Sequence, residues 1–518
     1  MTSIHDTLVG SSVPASQVTF YDFIFKDRQN RKYLFIALGG MVVQLILFKV
    51  LYPFADYFSD SYSYIETAVT GANVNIWPVG YSKILYAFHL LSHSDTALVA
   101  FQYLFVGCSL LLFFFTLRYW YSPSGLTVTV LYVFMFFNPL LLYVSNYISS
   151  DALFMGLSVI WLTLLLWVIQ RPKMWYLWPH ALIIAVAFTM RYNAMYYPLI
   201  SIVAFLLSGY KWRVKAVGIL LPIVLIGAFV VYTREKSLEV TGTRQFSVFS
   251  GWQWGNNALY MYAFIDVDRS KLPPQTLEFD TYCKNYFDTI PDEMKAVGPI
   301  DGGAWYIRYG KAPLKRYLAH YLRVNKLQYD GVASWGAVAP IYGAHGSHLA
   351  KEHPGAYFRY FLLPNTVNYF LPPLEKLEVY NLGMNELLDP IAQQWFEYKS
   401  MQVSAVSFKF QGSLLHLFPS VFLLINLGFM VVLVAFIAMK GYKRVPRDFC
   451  FVLLLIVSLF VINMGFSILA SPVVFRYQVF PLIVYLSFCL LVYERIDVMS
   501  KEDEALEKEK EKAKVAVV

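Results

Sequence analysis

An all-α protein that crosses a membrane about ten times is the fold this sequence predicts, and three observations carry that expectation. Apolar runs of about 20 residues recur along the chain, each long enough to cover the ~30 Å hydrocarbon core as a helix. Of the 518 residues, 58% are hydrophobic and only 15% charged, where a soluble chain carries about a quarter. The cations gather in short loops at alternate span ends, as the bias toward basic cytoplasmic loops requires. The net charge of +8 follows from those loops and is not a sign of nucleic-acid binding.

Residues 1–32 are polar and end in Lys26-Asp-Arg-Gln-Asn-Arg-Lys32, which predicts a cytoplasmic N-terminal segment. That segment lacks an apolar stretch with a cleavage site, so the first span, expected at 33–54, is read as the insertion signal. The polar stretch 55–94 predicts two short helices lying along the membrane surface, at 60–71 and 79–92. The second, Tyr81-Ser-Lys-Ile-Leu-Tyr-Ala-Phe-His-Leu-Leu91, is amphipathic and too short to span. Spans at 96–117, 125–145, 150–169, 176–190, 194–209 and 214–233 complete a transmembrane module over 33–233. A mixed region, 234–411, follows, and then spans at 413–439, 449–470 and 473–493 within a C-terminal module, 412–493. The Lys/Glu-rich tail 494–518 reads as a solvated helix or a disordered segment.

The loops holding Arg118, Arg171 and Lys173, Lys211 to Lys215, and Lys440 to Arg447 then lie inside, with both chain ends. The stretches 55–94 and 234–411 lie on the opposite face. A bacterial cell membrane with cytoplasmic termini is the expected location. Of the four cysteines only Cys283 falls in the large polar region, so no disulfide framework is expected there.

Ionisable groups at the ends of spans are expensive, so each suggests a functional role. On the outer face the set is short. Asp56 and Asp60 follow the first span, Ser149-Ser-Asp151 opens a later one, Arg191-Tyr-Asn193 closes another, and Arg476-Tyr477 opens the last. They share one depth and one face. A carboxylate can serve there as a base and guanidinium groups can hold an anion. The plain alternatives are helix capping for Asp56, Asp60 and Asp151, and snorkelling toward lipid phosphate for the arginines.

This succession resembles the GT-C class of integral-membrane glycosyltransferases that use polyprenyl-phosphate sugars, and is similar to the lipid A aminoarabinose transferase and protein O-mannosyltransferase families. The residues that carry the resemblance are Ser59-Asp60-Ser61-Tyr-Ser-Tyr64, Trp77-Pro-Val-Gly-Tyr81, Ser149-Ser-Asp151, Arg191-Tyr-Asn193 and Arg476-Tyr-Gln-Val-Phe-Pro481. They cover roughly 33–233 and 449–493. Val79 stands where the family has a second proline and Asp151 where a Glu is usual, and 234–411 matches no known pattern. The resemblance implies a GT-C-like fold and sugar transfer from a polyprenyl-phosphate carrier to an acceptor hydroxyl on a lipid, glycan or protein. It implies Asp60 as base with Asp56 in reserve. Arg476, Arg191 and Lys83 are expected to bind the donor phosphate, and Tyr64, Tyr81, Asp151, Asn193 and Tyr477 to line the donor or acceptor pocket.

No cofactor is expected, and a divalent metal is left open. Asp266-Val-Asp268 offers two acids that could share an ion, against the ordinary reading of a solvated acidic loop. His345, His348, His353 and Glu352 form a loose group without the spacing of a zinc motif. The outer region 234–411 is expected to cover the site and select the acceptor; its basic aromatic stretch at 304–327, interrupted at Pro313, reads either as part of that cover or as an interfacial helix packed on the membrane. The competing class is a secondary transporter or lipid flippase. It would need broken helices in matching halves and charges at mid-span, neither of which this sequence displays.

Overall fold

The computed structural model describes residues 18–292, 295, 303–383 and 387–516. These form helices joined by turns, and among the described residues strand pairing is confined to two isolated bridges, Asp56 with Tyr147 and Leu387 with Gln402.

The chain enters α1 (Arg28–Leu51), then two short helices, α2 (Ser59–Thr70) and α3 (Gly80–His89), and then α4 (Asp95–Tyr121). The next span is bent into α5 (Gly125–Phe136) and α6 (Pro139–Asn146), because Pro139 has no N–H to give to the preceding turn. There follow α7 (Asp151–Gln170), α8 (Leu177–Met190), α9 (Tyr197–Leu207) and α10 (Trp212–Thr241). The region after it holds α11 (Val248–Tyr262), α12 (Leu277–Thr289), α13 (Pro313–Val324), α14 (Gly331–Glu352) and α15 (Leu363–Phe370). The chain closes with α16 (Leu417–Ala438), α17 (Arg447–Ala470) and α18 (Val479–Ala516).

Eight helical stretches are long and apolar enough to cross a membrane, so the chain is an all-α, multi-pass membrane protein. The two spans expected at 176–190 and 194–209 are shorter: Met174–Met190 and Tyr192–Leu207 fall in the class of 10–17 residues. At 1.5 Å per residue even the upper limit of that class reaches about 26 Å, short of the ~30 Å core. Of the ten spans expected, eight are long and apolar enough to cross, and these two form a shorter pair on either side of Arg191, where the sequence already divides them. The tail, expected as a solvated helix or a disordered segment, is helical as far as Ala516 and exposed over 501–513, and Arg444 of the basic loop meets it through Glu502 at 2.9 Å and Asp503 at 2.8 Å.

The region 234–411 has two parts. Its first part has its own apolar core, from Trp252 to Phe361, in which α11 lies against α14. The two backbones touch at Gly251, where a Cβ would come within 1.9 Å of the Ala339 carbonyl oxygen. Its last part, from Leu374 to Val403, belongs instead to the core of the membrane helices. That division brings the chain after Leu371 back to the membrane surface beside α2.

Two local devices set the site's frame. Gly71 ends α2 in the left-handed conformation, φ +67°. The segment before α2 is pinned to the segment before α7, since Asp56 N donates to Asn146 O at 2.9 Å and Ile148 N to Asp56 O at 3.1 Å. The first turns of α2 and α7, which carry Asp60 and Asp151, are thus held side by side.

Candidate active site

Arg476 is the hub of the charged cluster. It sits in the turn that starts α18, its guanidinium packed on the rings of Phe58 at 5.0 Å and Tyr477 at 4.8 Å. Each of its three nitrogens faces a different carboxylate. Nη2 lies 3.9 Å from Asp60 Oδ2, Nη1 3.6 Å from Asp151 Oδ2, and Nε 3.6 Å from Glu375 Oε2. All three distances exceed a hydrogen bond, so the guanidinium is centred among the acids rather than bonded to one. Each acid has a second cation of its own. Lys376 Nζ donates to Asp60 Oδ2 at 3.1 Å, Arg191 is bonded to Asp151 Oδ1, and Arg308 Nη1 lies 3.1 Å from Glu375 Oε1.

The side chains of Arg476, Asp151, Lys376 and Glu375 are 8–9% exposed, and Asp60 is 13% exposed. Charges so removed from water persist only when paired. Burial works against ionisation of Asp60, but the Lys376 ammonium and the Arg476 guanidinium outweigh it and hold its carboxyl below the usual carboxylate range. Burial is also the main influence on Lys376, and with Arg476 nearby it brings that ammonium below the ordinary lysine value.

Two cavities meet at this hub and share Asp151 and Arg476. One, a narrow cleft, is lined by those two with Phe58, Val144, Tyr147, Lys376 and Leu377. The other, also narrow, runs between α7, α9, α17 and α18 and includes Phe154, Arg191, Asn193, Tyr196 and Tyr477 in its wall. Arg191 lies over the Tyr477 ring at 4.4 Å. The lining sets aromatic rings beside guanidinium groups, a combination that suits an anionic group carried on an apolar body.

Of the residues singled out in the sequence, Asp60, Asp151, Arg191, Arg476, Tyr477 and Asn193 come together here. Tyr64 stands one step behind, its hydroxyl 3.2 Å from Ser150 Oγ, and Tyr81 two steps behind, donating to Gln102 at 2.8 Å. Lys83 is elsewhere: it is exposed, and its Nζ donates to Gly71 O at 2.9 Å, completing the end of α2. Its amphipathic helix turned the cation outward. Asp56 is fully buried, accepts from Asn381 N at 2.8 Å, has Tyr147 and Gln411 against it, and lines neither cavity. Burial pushes its carboxyl up to about 7.

Asp266 and Asp268 are exposed and line neither cavity. Asp268 accepts from Ser270 Oγ at 2.6 Å, which makes it the cap of a turn. His345 is buried in α14 against Asp280, at 3.0 Å. Among the described residues no group of three or more His, Cys, Asp or Glu could hold a metal ion.

Sequence reasoning missed Glu375, Lys376 and Arg308. The signal for the first two was present, an adjacent charged pair following Pro372-Pro373 and flanked by Leu374 and Leu377. It was the same mark of charge at the end of an apolar run, in a region that matched no pattern. No family model, curated protein or solved structure matches this chain.

Proposed function

We propose that this protein is a membrane glycosyltransferase that moves a sugar from a polyprenyl-phosphate carrier to an acceptor hydroxyl at the extracytoplasmic surface. The observation that carries the reading is the charge balance at the hub. Four cations, Arg191, Arg308, Lys376 and Arg476, face three acids, Asp60, Asp151 and Glu375, leaving one unit of positive charge. A sugar phosphodiester brings one negative charge. The motifs around Asp60, Asp151, Arg191 and Arg476 independently resemble those of transferases with this donor.

In the reaction the acceptor oxygen attacks the anomeric carbon, the bond from that carbon to the phosphate oxygen breaks, and the carrier leaves as a phosphate monoester. The acceptor proton passes to Asp60. Of the two acids at the start of helices, Asp60 is better placed to accept it. Among the described residues its Oδ1 has only the Ser59 hydroxyl beside it, at 3.3 Å, whereas both oxygens of Asp151 are engaged, by Arg191 and by Ser149 at 3.0 Å. The depressed pKa keeps Asp60 ionised while it is paired, and also weakens it as a base until those cations are drawn away. Arg476 and Arg191 meet the charge that grows on the departing phosphate, which is where positioned guanidinium groups lower a barrier. A single displacement of this kind inverts the anomeric carbon.

The test is turnover in detergent, where no second compartment exists. Purified protein supplied with a panel of decaprenyl-phosphate sugars, together with a detergent extract of bacterial envelope lipids and glycans as the source of acceptor hydroxyls, is expected to release decaprenyl phosphate. Absence of any carrier release, together with uptake of the lipid sugar across vesicles, would replace this reading with transport.

A further inference from the structure

We propose that Glu375 is a positioning residue that aims Arg476 at the anion site. This rests on reading Arg476 as a phosphate ligand. Glu375 has φ +54°, a left-handed conformation that a residue with a side chain rarely adopts. Glycine would take that conformation without strain, so the fold tolerates strain in order to keep a carboxylate there. Strain of this kind concentrates at functional sites.

The side chain is buried between two arginines. Oε1 meets Arg308, while Oε2 faces Arg476 Nε, and among the described residues neither Oε2 nor that Nε has a hydrogen-bond partner. The backbone is fixed as well, because Phe475 N donates to Pro373 O at 2.9 Å and ties the Glu375 segment to the turn holding Arg476.

An arginine binds an oxyanion best through two parallel N–H groups. Facing Nε with Glu375 leaves Nη1 turned toward Asp151 and Nη2, which donates to the Tyr477 hydroxyl at 2.9 Å, turned toward Asp60. Without Glu375 the guanidinium can rotate and close the 3.9 Å and 3.6 Å gaps to Asp60 and Asp151, which would occupy the Nη groups. Bulk electrostatics predicts the opposite sign, since removing a negative charge beside an anion site strengthens anion binding.

The experiment measures binding of decaprenyl phosphate, with uncharged decaprenol as reference, to the full-length protein in detergent. Glu375→Gln is expected to weaken decaprenyl phosphate about tenfold while leaving decaprenol unchanged. Glu375→Gly is expected to bind as weakly. Equal or tighter phosphate binding by either variant would overturn the proposal. If wild type itself shows no preference for phosphate over decaprenol, the reading of Arg476 fails first, and this inference falls with it.

A separate observation concerns the helical run from Pro354 to Phe370. Phe358, Leu363, Val367 and Leu371 are 56%, 49%, 60% and 45% exposed. Leu363, Val367 and Leu371 recur every four residues, and the π-turn Phe358–Leu362, with its i+5 bonding, brings Phe358 toward the same stripe. The opposite side carries Asn365, fully buried, whose Nδ2 donates to Ile468 O and Ser471 O, both at 2.8 Å, and whose Oδ1 accepts from Val473 N at 2.7 Å. The helix is therefore moored to the end of a membrane span, α17, whose own Leu469 is 57% exposed.

We infer that the headgroup boundary of the bilayer covers this stripe, so the helix lies on the membrane just ahead of Glu375 and Lys376. Vesicles containing phosphatidylcholine with a diazirine in the acyl chain, reconstituted with the unmodified protein, are expected to label Leu363 and Val367 on illumination. Labelling of the spans without any label between Phe358 and Leu371 would overturn it.

Discussion

Replacing Asp60 by Asn separates chemistry from binding and from folding. The change keeps the shape and removes one negative charge that lies 3.1 Å from Lys376 Nζ and 3.9 Å from Arg476 Nη2. Loss of a positioned base lowers turnover by about 10²–10⁴-fold, or about 3–5 kcal/mol of barrier. The site's net charge rises from one positive unit to two, so affinity for a bare anion should hold or increase. Folding is weakened, and the sign follows from the depressed carboxyl pKa. Stabilisation from such a group is present above the unfolded value of about 3.9 and is lost as pH falls through the lower folded value, so at neutral pH the Asn variant lacks all of it. Removing one partner of a buried pair costs about 3–5 kcal/mol. The lower end is expected here, because Asp60 is partly exposed and Arg476 keeps Asp151 and Glu375. The assay is release of decaprenyl phosphate from a labelled donor well below the melting temperature, beside equilibrium binding of decaprenyl phosphate. Turnover within about tenfold of wild type would refute Asp60 as the base. So would a loss of turnover that merely follows a loss of donor binding.

Arg476→Ala should weaken donor binding by about 1.5–3 kcal/mol, and unchanged affinity in a binding titration would remove Arg476 from the phosphate site. Lys376 has an ammonium pKa below the ordinary lysine value, so kcat/KM should decline at alkaline pH before about 10.4. Bound phosphate favours the ammonium, so the corresponding limb in kcat should lie higher, and Lys376→Arg should move both limbs up; a pH profile without an alkaline limb would contradict this. Gly251→Ala places a Cβ 1.9 Å from the Ala339 carbonyl oxygen, an overpacking worth about 1–3 kcal/mol or more; an unchanged melting curve would show that α11 and α14 are not tightly joined. Lys83→Ala removes a cation that only closes α2, so donor affinity in the same titration should be unaltered, and a marked loss would return Lys83 to the site.

The membrane helices and much of the charged cluster were legible because one physical rule governs both. Hydrocarbon excludes charge, so Asp60, Asp151, Arg191 and Arg476 stand out wherever an apolar run ends. What was not legible depends on direction and return. Lys83 and Asp56 obey the same rule, but the turn of α3 sends one outward and the bridge to Tyr147 buries the other. Glu375 and Lys376 were obscured because their region folds around a separate core before coming back to the membrane core at Leu374. Only tertiary packing decides where that return occurs. The short pair α8 and α9 reads in the sequence as two apolar runs parted by Arg191, and only their length sets them apart from the eight longer helices.

The hub's construction limits how the site can work. A buried cation without a partner would be expensive, and so would a buried acid, so before substrate arrives each one holds another. An arriving phosphate must therefore exchange for existing carboxylates rather than add to free cations. Arg476 is the residue built for that exchange, because its three carboxylates stand at 3.6–3.9 Å, near enough to balance its charge and too far to bond its N–H groups. The acid most readily displaced is Asp60, the most exposed of the three. Displacing it from Arg476 is also what frees a base. On the proposed reading, donor binding and activation of the acceptor are then one event, and a variant that tightens the Asp60–Arg476 pair should weaken both together.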